Sequence, residues 1–296
     1  MRLGIDLGGT KIEIVALEDD GSVRLRRRVP SPASYADTVD AIATLIAGAD
    51  RETGMKGTVG VGIPGSLSPV TGLVRNANNQ SLNGQPLDQD LIAAIGRPVR
   101  VTNDANCLAM SEAADGAGAG FRTVFAVIMG TGCGGGIVSS GRILDGPNGT
   151  GGEWGHTPLP WMRPEEFPGH RCWCGRHGCL ETYLSGPGLA LDCDGPGSRD
   201  ASGIPGRAAA GEAKAVAALA RHADRLARAL GMIANILDPD VIVLGGGLSN
   251  MQHLYAEVPA LMAKHVFGDV ARTPIVQAKH GDSSGVFGAA RLWDGG

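Results

Sequence analysis

The sequence predicts an α/β fold built from two similar halves, and three observations lead to this prediction. A strand that ends in a glycine turn and continues into further strands opens the chain, and the same arrangement returns from residue 123. Strand-like and helix-like segments alternate after each of these meanders. A long amphipathic helix then precedes a short apolar strand near the end of the chain.

The first meander begins with residues 3–6, whose alternating pattern predicts a strand. A glycine turn follows at residues 8–11, and residues 12–17 predict a second strand. The turn at 19–21 then leads into a third strand.

The second meander repeats this order. A strand is predicted over residues 123–129, and the glycine-rich residues 130–136 predict a loop. Strands at 137–139 and 142–144 follow, joined by a turn at 140–141. The repetition indicates an internal duplication.

Other elements complete the two halves. The first half has a predicted helix at 35–49, strands at 58–63 and 99–102, and a helix from Ala105. In the second half, apolar residues recur every three or four positions over 212–237 and predict the clearest helix.

Two further segments of the second half are distinctive. The apolar residues 241–244 predict a buried strand that enters the glycine loop 245–247. Residues 194–211 are rich in glycine, proline, alanine and serine, and this composition predicts a mobile connection.

Composition excludes several function classes. The chain has 296 residues and 43% hydrophobic residues, enough for one large or two moderate domains. Its net charge of -4 gives no general attraction to nucleic acid. Because no apolar run approaches the roughly 18 residues that span a bilayer, and no signal peptide is evident, we expect a cytoplasmic protein without a membrane partner.

The glycine turns are candidate phosphate-binding loops, because each supplies backbone N–H groups that can face a phosphate chain. The first turn is followed by a strand and not by a helix, so it is not the dinucleotide-binding fingerprint. The Walker A pattern is also absent from the sequence. Asp6 precedes the first turn and could hold the water shell of Mg²⁺. Hairpin turns and a turn-capping aspartate are the structural alternatives.

Asn103 and Asp104 stand where a predicted strand ends and a helix begins. Open α/β sheets bind ligands at this end of their strands, so Asp104 is a candidate general base. Asn and Asp are also preferred helix N-caps, and this alternative remains open.

Three cysteines, Cys172, Cys174 and Cys179, lie within eight residues and predict a metal site. A histidine would complete a closed, structural Cys3His zinc site, and His156, His170 and His177 are all candidates. Glu153 and Glu181 flank the cluster, and carboxylates at a rigid site are suited to accept hydrogen bonds from sugar hydroxyls.

With these residues identified, the whole chain resembles the ROK family of bacterial sugar kinases, and within it the fructokinases (manno(fructo)kinases). The matching segments are LGIDLGGTKIEIVAL, GTVGVGIPGSLSP, NANNQSLNGQPL, TNDANC, FAVIMGTGCGGGIV, GEWGHTPLPW, CWCGRHGCLETYLSG, NILDPDVIVLGGGLSN and HGDSSGVFGAA. The resemblance implies an actin-like (ribonuclease H-like) ATPase fold, with two duplicated α/β domains and a cleft between them. It implies a small domain of residues 1–110, completed by a terminal helix at about 284–296, and a large domain of residues 111–283 that carries the zinc site.

The resemblance also implies residue roles. Asp104 matches the catalytic base, and it also belongs to the residues that match sugar contacts: Asn78, Asn103, Asp104, Glu153, His156 and Glu181. The residues that match contacts to ATP, with Mg²⁺, are Asp6, Gly8, Gly9, Thr10, Lys11, Gly130, Thr131, Gly132, Gly245, Gly246 and Gly247. The zinc ligands by resemblance are His156, Cys172, Cys174 and Cys179. Cys133 is unexpected in a phosphate loop on physical grounds.

The expected function is ATP-dependent phosphorylation of a free hexose, fructose to fructose 6-phosphate, by a homodimer. Mannose, glucose and N-acetylglucosamine are alternative acceptors, since relatives acting on them share the catalytic set. A sugar-responsive repressor of the same family would place a helix-turn-helix domain before the first glycine turn, and a non-catalytic sugar-binding protein would be expected to lack Asp104. We rank both below the kinase.

Overall fold

The protein is described by a computed structural model that covers residues 1–281 and 284–294. The strands are β1 (Arg2–Leu7), β2 (Lys11–Leu17), β3 (Val23–Pro30), β4 (Thr58–Ile63), β5 (Ser66–Leu67), β6 (Val74–Arg75), β7 (Val99–Asn103), β8 (Thr123–Met129), β9 (Cys133–Ser139), β10 (Arg142–Ile143), β11 (Val241–Gly245) and β12 (Ile275–Gln277). The helices are α1 (Tyr35–Thr53), α2 (Leu87–Ile95), α3 (Asp104–Ala114), α4 (Glu181–Leu184), α5 (Gly186–Asp194), α6 (Ile204–Ala209), α7 (Ala213–Leu237), α8 (His253–Met262) and α9 (Ser284–Ala290).

Two five-stranded sheets share one strand order. The first runs β3-β2-β1-β4-β7, with β1 antiparallel to β2 and parallel to β4. The second runs β10-β9-β8-β11-β12, with β11 parallel to both β8 and β12. When the strands of each sheet are counted from its own first strand, both orders read 3-2-1-4-5. The α/β class and the internal duplication predicted from the sequence are confirmed.

Helix α1 shows how local sequence sets an element beside the first sheet. The Ser34 side chain accepts a hydrogen bond from the Asp37 N–H and caps the start of the helix, and Gly54 ends it in the left-handed region at φ 71°. Val39, Ile42, Ile46 and Ala49 recur at helical spacing and are buried in the core of the first sheet. The predicted helix is confirmed and runs one turn further.

Helix α7 covers the region of the strongest helical periodicity. It ends where Asp238 adopts a left-handed conformation at φ 46° and Pro239 follows, because proline cannot continue a helix. Its buried face includes Leu226 and Leu230. In the described part of the chain, no helix is both long enough and apolar enough to cross a membrane, and this includes α7, the longest one.

The chain forms two compact units. The first comprises residues 1–120, 136–151 and 279–296, and the second comprises residues 121–135 and 152–278. The domain bounds implied by the resemblance, at residues 110 and 283, stay predictions, because a compact unit need not fold by itself.

The glycine run at 130–136 differs from the predicted loop, since β9 already begins at Cys133. A side chain would not fit there: a Cβ on Gly135 would lie 2.8 Å from a Trp154 ring carbon, and one on Gly136 would lie 2.4 Å from the Ala105 carbonyl oxygen. These glycines therefore allow close packing within a strand, which local sequence does not distinguish from a loop.

The segment 194–211 also differs from the predicted mobile connection. It contains α6, and Arg207 forms ion pairs with both Asp194 and Glu212. The segment therefore has a defined local structure.

Candidate active site and metal centre

Four predicted zinc ligands lie together in the second unit. The ligand atoms of His156, Cys172, Cys174 and Cys179 all lie within 4.8 Å of one another. The His156 Nδ1 to Cys172 Sγ distance is 3.6 Å, and so is the distance between the Sγ atoms of Cys174 and Cys179. Ligands about 2.1 to 2.3 Å from a tetrahedral zinc ion are separated by roughly this much, so the donor set fits Zn²⁺.

The choice among the three candidate histidines is resolved by this geometry. Among the described residues, His156 is the only histidine in the cluster. The ring of His170 packs instead near Tyr183, with the ring centroids 5.8 Å apart, and His177 pairs with Arg171 in a β-bridge. Because Nδ1 of His156 faces the sulfur atoms, its Nε2 is directed elsewhere.

The turn that carries His156 is held by its neighbours. The indole of Trp154 is buried, donates to the Gly134 carbonyl oxygen at 2.9 Å and meets Phe125 edge-on. A Cβ on Gly155 would lie 1.8 Å from the Cys133 carbonyl oxygen, so only glycine fits. The turn therefore packs directly on β9. Glu153, just before it, is exposed.

Glu181 lies between the cysteine cluster and the second glycine loop. Its Oε2 accepts a hydrogen bond from the Cys133 N–H at 3.1 Å, and its Oε1 accepts one from the indole N–H of Trp173 at 2.6 Å. Cys133 is buried. Its burial raises the pKa of its thiol, and the nearby charge of Glu181 adds a smaller rise. Cys133 thus behaves as a small apolar residue, which explains a cysteine at the start of β9, directly after this loop.

The candidate base Asp104 is the first residue of α3, directly after β7. Asn103 is the N-cap: its Oδ1 accepts from the Ala105 N–H at 2.8 Å, and its Nδ2 donates to the Gly65 carbonyl oxygen at 3.2 Å. Asp104 also accepts from the Ala105 N–H, at 2.8 Å. Capping is therefore explained by Asn103 and does not itself require a carboxylate at position 104.

Asp6 and Asp104 lie at the same end of the first sheet. Asp6 is near the carboxyl end of β1 and Asp104 follows the carboxyl end of β7, and both strands run parallel to β4 between them. Burial raises the pKa of Cys107, and the charges of Asp6 and Asp104 raise it further, so both carboxylates lie near this thiol. Ligands bind at this edge in open α/β sheets.

The carboxyl group of Asp6 is poorly solvated. Burial raises its pKa to about 6, and the nearby charge of Glu13 adds to the rise, against opposing effects of Lys11 and Arg28. A Cβ on Gly285, in α9, would lie 3.1 to 3.2 Å from the Asp6 carboxyl group, so the helix backbone approaches this group closely. A divalent cation here would favour the ionised form.

Replacing Asp6 by Asn should stabilise the nucleotide-free protein at neutral pH. The raised pKa means that the folded state binds the proton more tightly than the unfolded chain, so stability falls as the pH rises from about 4 to about 6. The resulting cost at pH 7.5 is at most about 3 kcal/mol. We expect thermal melts to show a higher Tm for Asp6→Asn at pH 7.5 and a smaller gap at pH 4.5.

The exposed Asp40 on α1 provides the matched control, Asp40→Asn, which should show no such pH-dependent gap. A lower Tm for Asp6→Asn at both pH values would contradict this prediction.

The first glycine turn joins β1 to β2. The Gly8 N–H donates a hydrogen bond to the Lys11 carbonyl oxygen at 3.0 Å. Ser31, directly after β3, donates its N–H to the Thr10 carbonyl oxygen, also at 3.0 Å. Gly9 and Thr10 are exposed at the tip. The turn is thus a β-hairpin, as predicted.

Two other glycine loops line one cavity in the second unit. This cavity has a volume of about 630 Å³, and Gly130, Thr131 and Gly247 are among the residues that line it. Gly132 belongs to the same loop as Gly130, while Gly245 ends β11 and Gly246 follows at φ 77°. Residues 199–202 also line the cavity. The segment 194–211, predicted from its composition to be a mobile connection, therefore contributes to this candidate nucleotide site.

The sugar-binding loop predicted around Asn78 contains a 3-10 turn. Asn79 caps the turn by accepting from the Ser81 N–H at 3.1 Å, and the side chain of Asn83 bonds to the backbone of Ala77. Asn78 is exposed. Asn79 and Asn83 thus stabilise the loop, and a sugar contact by Asn78 stays a prediction.

The repeated sheet order and the placement of carboxylates at the sheet edge define a protein with the actin-like ATPase fold. The profile of the ROK family matches residues 2–295, and the chain belongs to this family. The chain is 39% identical to N-acetyl-D-glucosamine kinase of Pasteurella multocida and 41% identical to that of Escherichia coli O1:K1, with 99% of each chain covered in both comparisons.

Solved structures agree with this assignment. The ROK hexokinase from Thermus thermophilus is similar with a TM-score of 0.89 and 32% identity, covering 98% of this chain and 97% of that one. A ROK family glucokinase from Streptomyces griseus, solved with glucose and AMPPNP, has a TM-score of 0.79 and 28% identity, covering 100% and 99%.

Proposed function

We propose that the protein is a sugar kinase that transfers the γ-phosphoryl group of ATP to the 6-hydroxyl of a free hexose. The observation that carries this proposal is the pair Asp6 and Asp104 at the carboxyl ends of parallel strands in one sheet. Membership of the ROK family and kinase relatives at 39 to 41% identity support it.

In this reaction Asp104 orients the acceptor hydroxyl and takes its proton. The sugar oxygen forms a bond to the γ-phosphorus, and the bond from that phosphorus to the bridging oxygen breaks, releasing ADP. Asp6 is suited to hold hydrated Mg²⁺, which would neutralise charge on the transferred phosphoryl group.

The glycine loops are proposed to bind the nucleotide. Backbone N–H groups of residues 8–11 and 130–132 would face the phosphates, and residues 245–247 would lie near the adenosine. The cavity of about 630 Å³ at Gly130, Thr131 and Gly247 supports this placement, since small-molecule sites have volumes of this order.

The cluster of His156 and three cysteines is proposed to hold a structural zinc ion. Four protein ligands leave no coordination position for water, so the ion would stabilise the fold and not act on the substrate. The Nε2 of His156 points away from the sulfur atoms and is available to a sugar hydroxyl. We likewise propose that the sugar hydroxyls are contacted by Asn103, Glu153 and Glu181.

Among hexoses we favour N-acetylglucosamine as the acceptor, because the relatives at 39 to 41% identity over 99% of the chain are N-acetyl-D-glucosamine kinases. Fructose, expected from the NANNQSLNGQPL and GEWGHTPLPW segments, is the second candidate. Mannose and glucose are the remaining candidate acceptors.

ADP release by the purified protein with Mg-ATP should depend on sugar and be most efficient with N-acetylglucosamine. The assay compares kcat/KM for N-acetylglucosamine, fructose, mannose and glucose with a reaction lacking sugar. A preference for fructose would keep the kinase and replace the acceptor. If no hexose increased ADP release, the proposed function would be wrong.

We also propose that the protein is a cytoplasmic homodimer without a nucleic-acid partner. Use of ATP and six cysteines that form no disulfide bond suit a reducing, ATP-rich compartment. The homodimer follows from the family resemblance alone.

A further inference from the structure

Trp173 stands between two ligands of the proposed zinc site and contacts two proposed sugar-binding residues. Its indole N–H donates to Glu181 Oε1 at 2.6 Å. Its ring meets the ring of His156 edge-on, with centroids 4.9 Å apart and an angle of 88°. The side chain is nevertheless 60% exposed, so its burial contributes little to the core.

Glu181 is held from a second direction by the glycine loop of residues 130–132. Its Oε2 accepts from the Cys133 N–H at 3.1 Å, and a Cβ on Gly132 would lie 2.8 Å from the same oxygen. The carboxylate therefore packs directly on this loop. The two hydrogen bonds fix both oxygens of a side chain that would otherwise sample several rotamers on the surface of α4.

Each carboxylate oxygen can accept more than one hydrogen bond, so both remain able to accept from a sugar hydroxyl. We infer that Trp173 is a positioning residue: it orients Glu181 for the sugar and, through Glu181, couples sugar binding to the phosphate loop 130–132. This inference rests on the proposed function. It predicts that a bound nucleotide changes the affinity for sugar by way of this chain of contacts.

The test is the substitution Trp173→Phe, which keeps an aromatic ring beside His156 and removes the N–H donor. Trp161→Phe is the matched control: Trp161 lies in the same unit, is 55% exposed and stacks on His265, at a ring distance of 5.2 Å. Calorimetry measures the Kd of the hexose preferred in the ADP-release assay, with and without a non-hydrolysable ATP analogue. Zinc is measured on the same samples.

We expect Trp173→Phe to retain zinc at the wild-type level and to raise the sugar Kd by roughly tenfold or more, because a hydrogen bond to a charged group is lost. The factor by which the ATP analogue changes the sugar Kd should fall toward one. Trp161→Phe should match the wild type in all three measurements. In a Glu181→Ala background, Trp173→Phe should change the sugar Kd by less than about twofold, since its partner is gone.

The inference would be overturned if Trp173→Phe left both the sugar Kd and the effect of the ATP analogue on that Kd unchanged. If the wild type binds sugar normally in the same experiment, the proposed function would stay intact. Loss of zinc in parallel with sugar affinity would show a merely structural role and would also overturn it. A wild type that binds none of the hexoses would overturn the proposed function together with the role of Trp173.

Discussion

Asp104→Asn should lower kcat for sugar phosphorylation by about 10³-fold, the typical contribution of a positioned general base. The amide can still accept a hydrogen bond from the acceptor hydroxyl, but it cannot take the proton. Asp104 sits at the start of α3 with Asn103 as the cap, so the substitution leaves the local backbone bonds in place. Steady-state ADP release and calorimetric ATP binding give the two measurements, and the ATP Kd should stay within about threefold of the wild type.

The matched control is Asp37→Asn, which removes a carboxylate from the first turn of α1 in the same unit. Both substitutions lose a similar favourable interaction with a helix N-terminus, so they should have similar small effects on Tm. Only Asp104→Asn should affect kcat. Turnover within about tenfold of the wild type in Asp104→Asn would contradict the assigned role of this residue.

Much of the fold could be predicted because the decisive signals are local. The strands β4 and β8 begin and end at the predicted residues, since each is an apolar run bounded by turns. Helix α7 has a periodic apolar face and a clear stop at Asp238 and Pro239. The repeated meander identified the duplication, which the shared strand order confirms.

The parts that could not be predicted depend on long-range packing. The glycines at the start of β9 are required by Trp154 and Ala105, which are distant in sequence. The segment 194–211 has the composition of a loose connection, yet ion pairs involving Arg207 order it, and it reaches the cavity at Thr131 and Gly247. Composition reports local preferences and carries no information on such partners.

The candidate site shows the same division. Spacing identified the three cysteines and left three histidines as candidates; the family resemblance selected His156, and the fold places His156 at the cysteines. The sequence shows Trp173 inside the cysteine motif but does not predict its role, because a single aromatic residue does not reveal its hydrogen-bond partner. An aromatic residue between two metal ligands, close to a carboxylate in sequence, was the signal that could have indicated it.

Cys179→Ser should remove most of the bound zinc and lower Tm by roughly 10 °C or more. Cys179 is buried, and its Sγ lies 3.6 Å from that of Cys174, so serine would leave a three-ligand site with a poor fourth donor. Because the proposed zinc ion would bind the folded cluster and no such site exists in the unfolded chain, its binding free energy would add to folding stability. Zinc content by mass spectrometry and thermal melting measure the two effects on the same protein.

Cys193→Ser is the matched control, since Cys193 is a buried cysteine of the same unit that lies outside the cluster. It should keep the zinc content of the wild type. A strong chelator should lower the Tm of the wild type toward that of Cys179→Ser and leave the variant nearly unchanged, because both treatments remove the same ion. Two results would show that this cluster does not derive its stability from a metal. One is a purified wild type that contains no zinc, and the other is a chelator effect of equal size on the wild type and on Cys179→Ser. The Cys3His arrangement would then be held by packing alone, and His156 would need another reason for its fixed orientation.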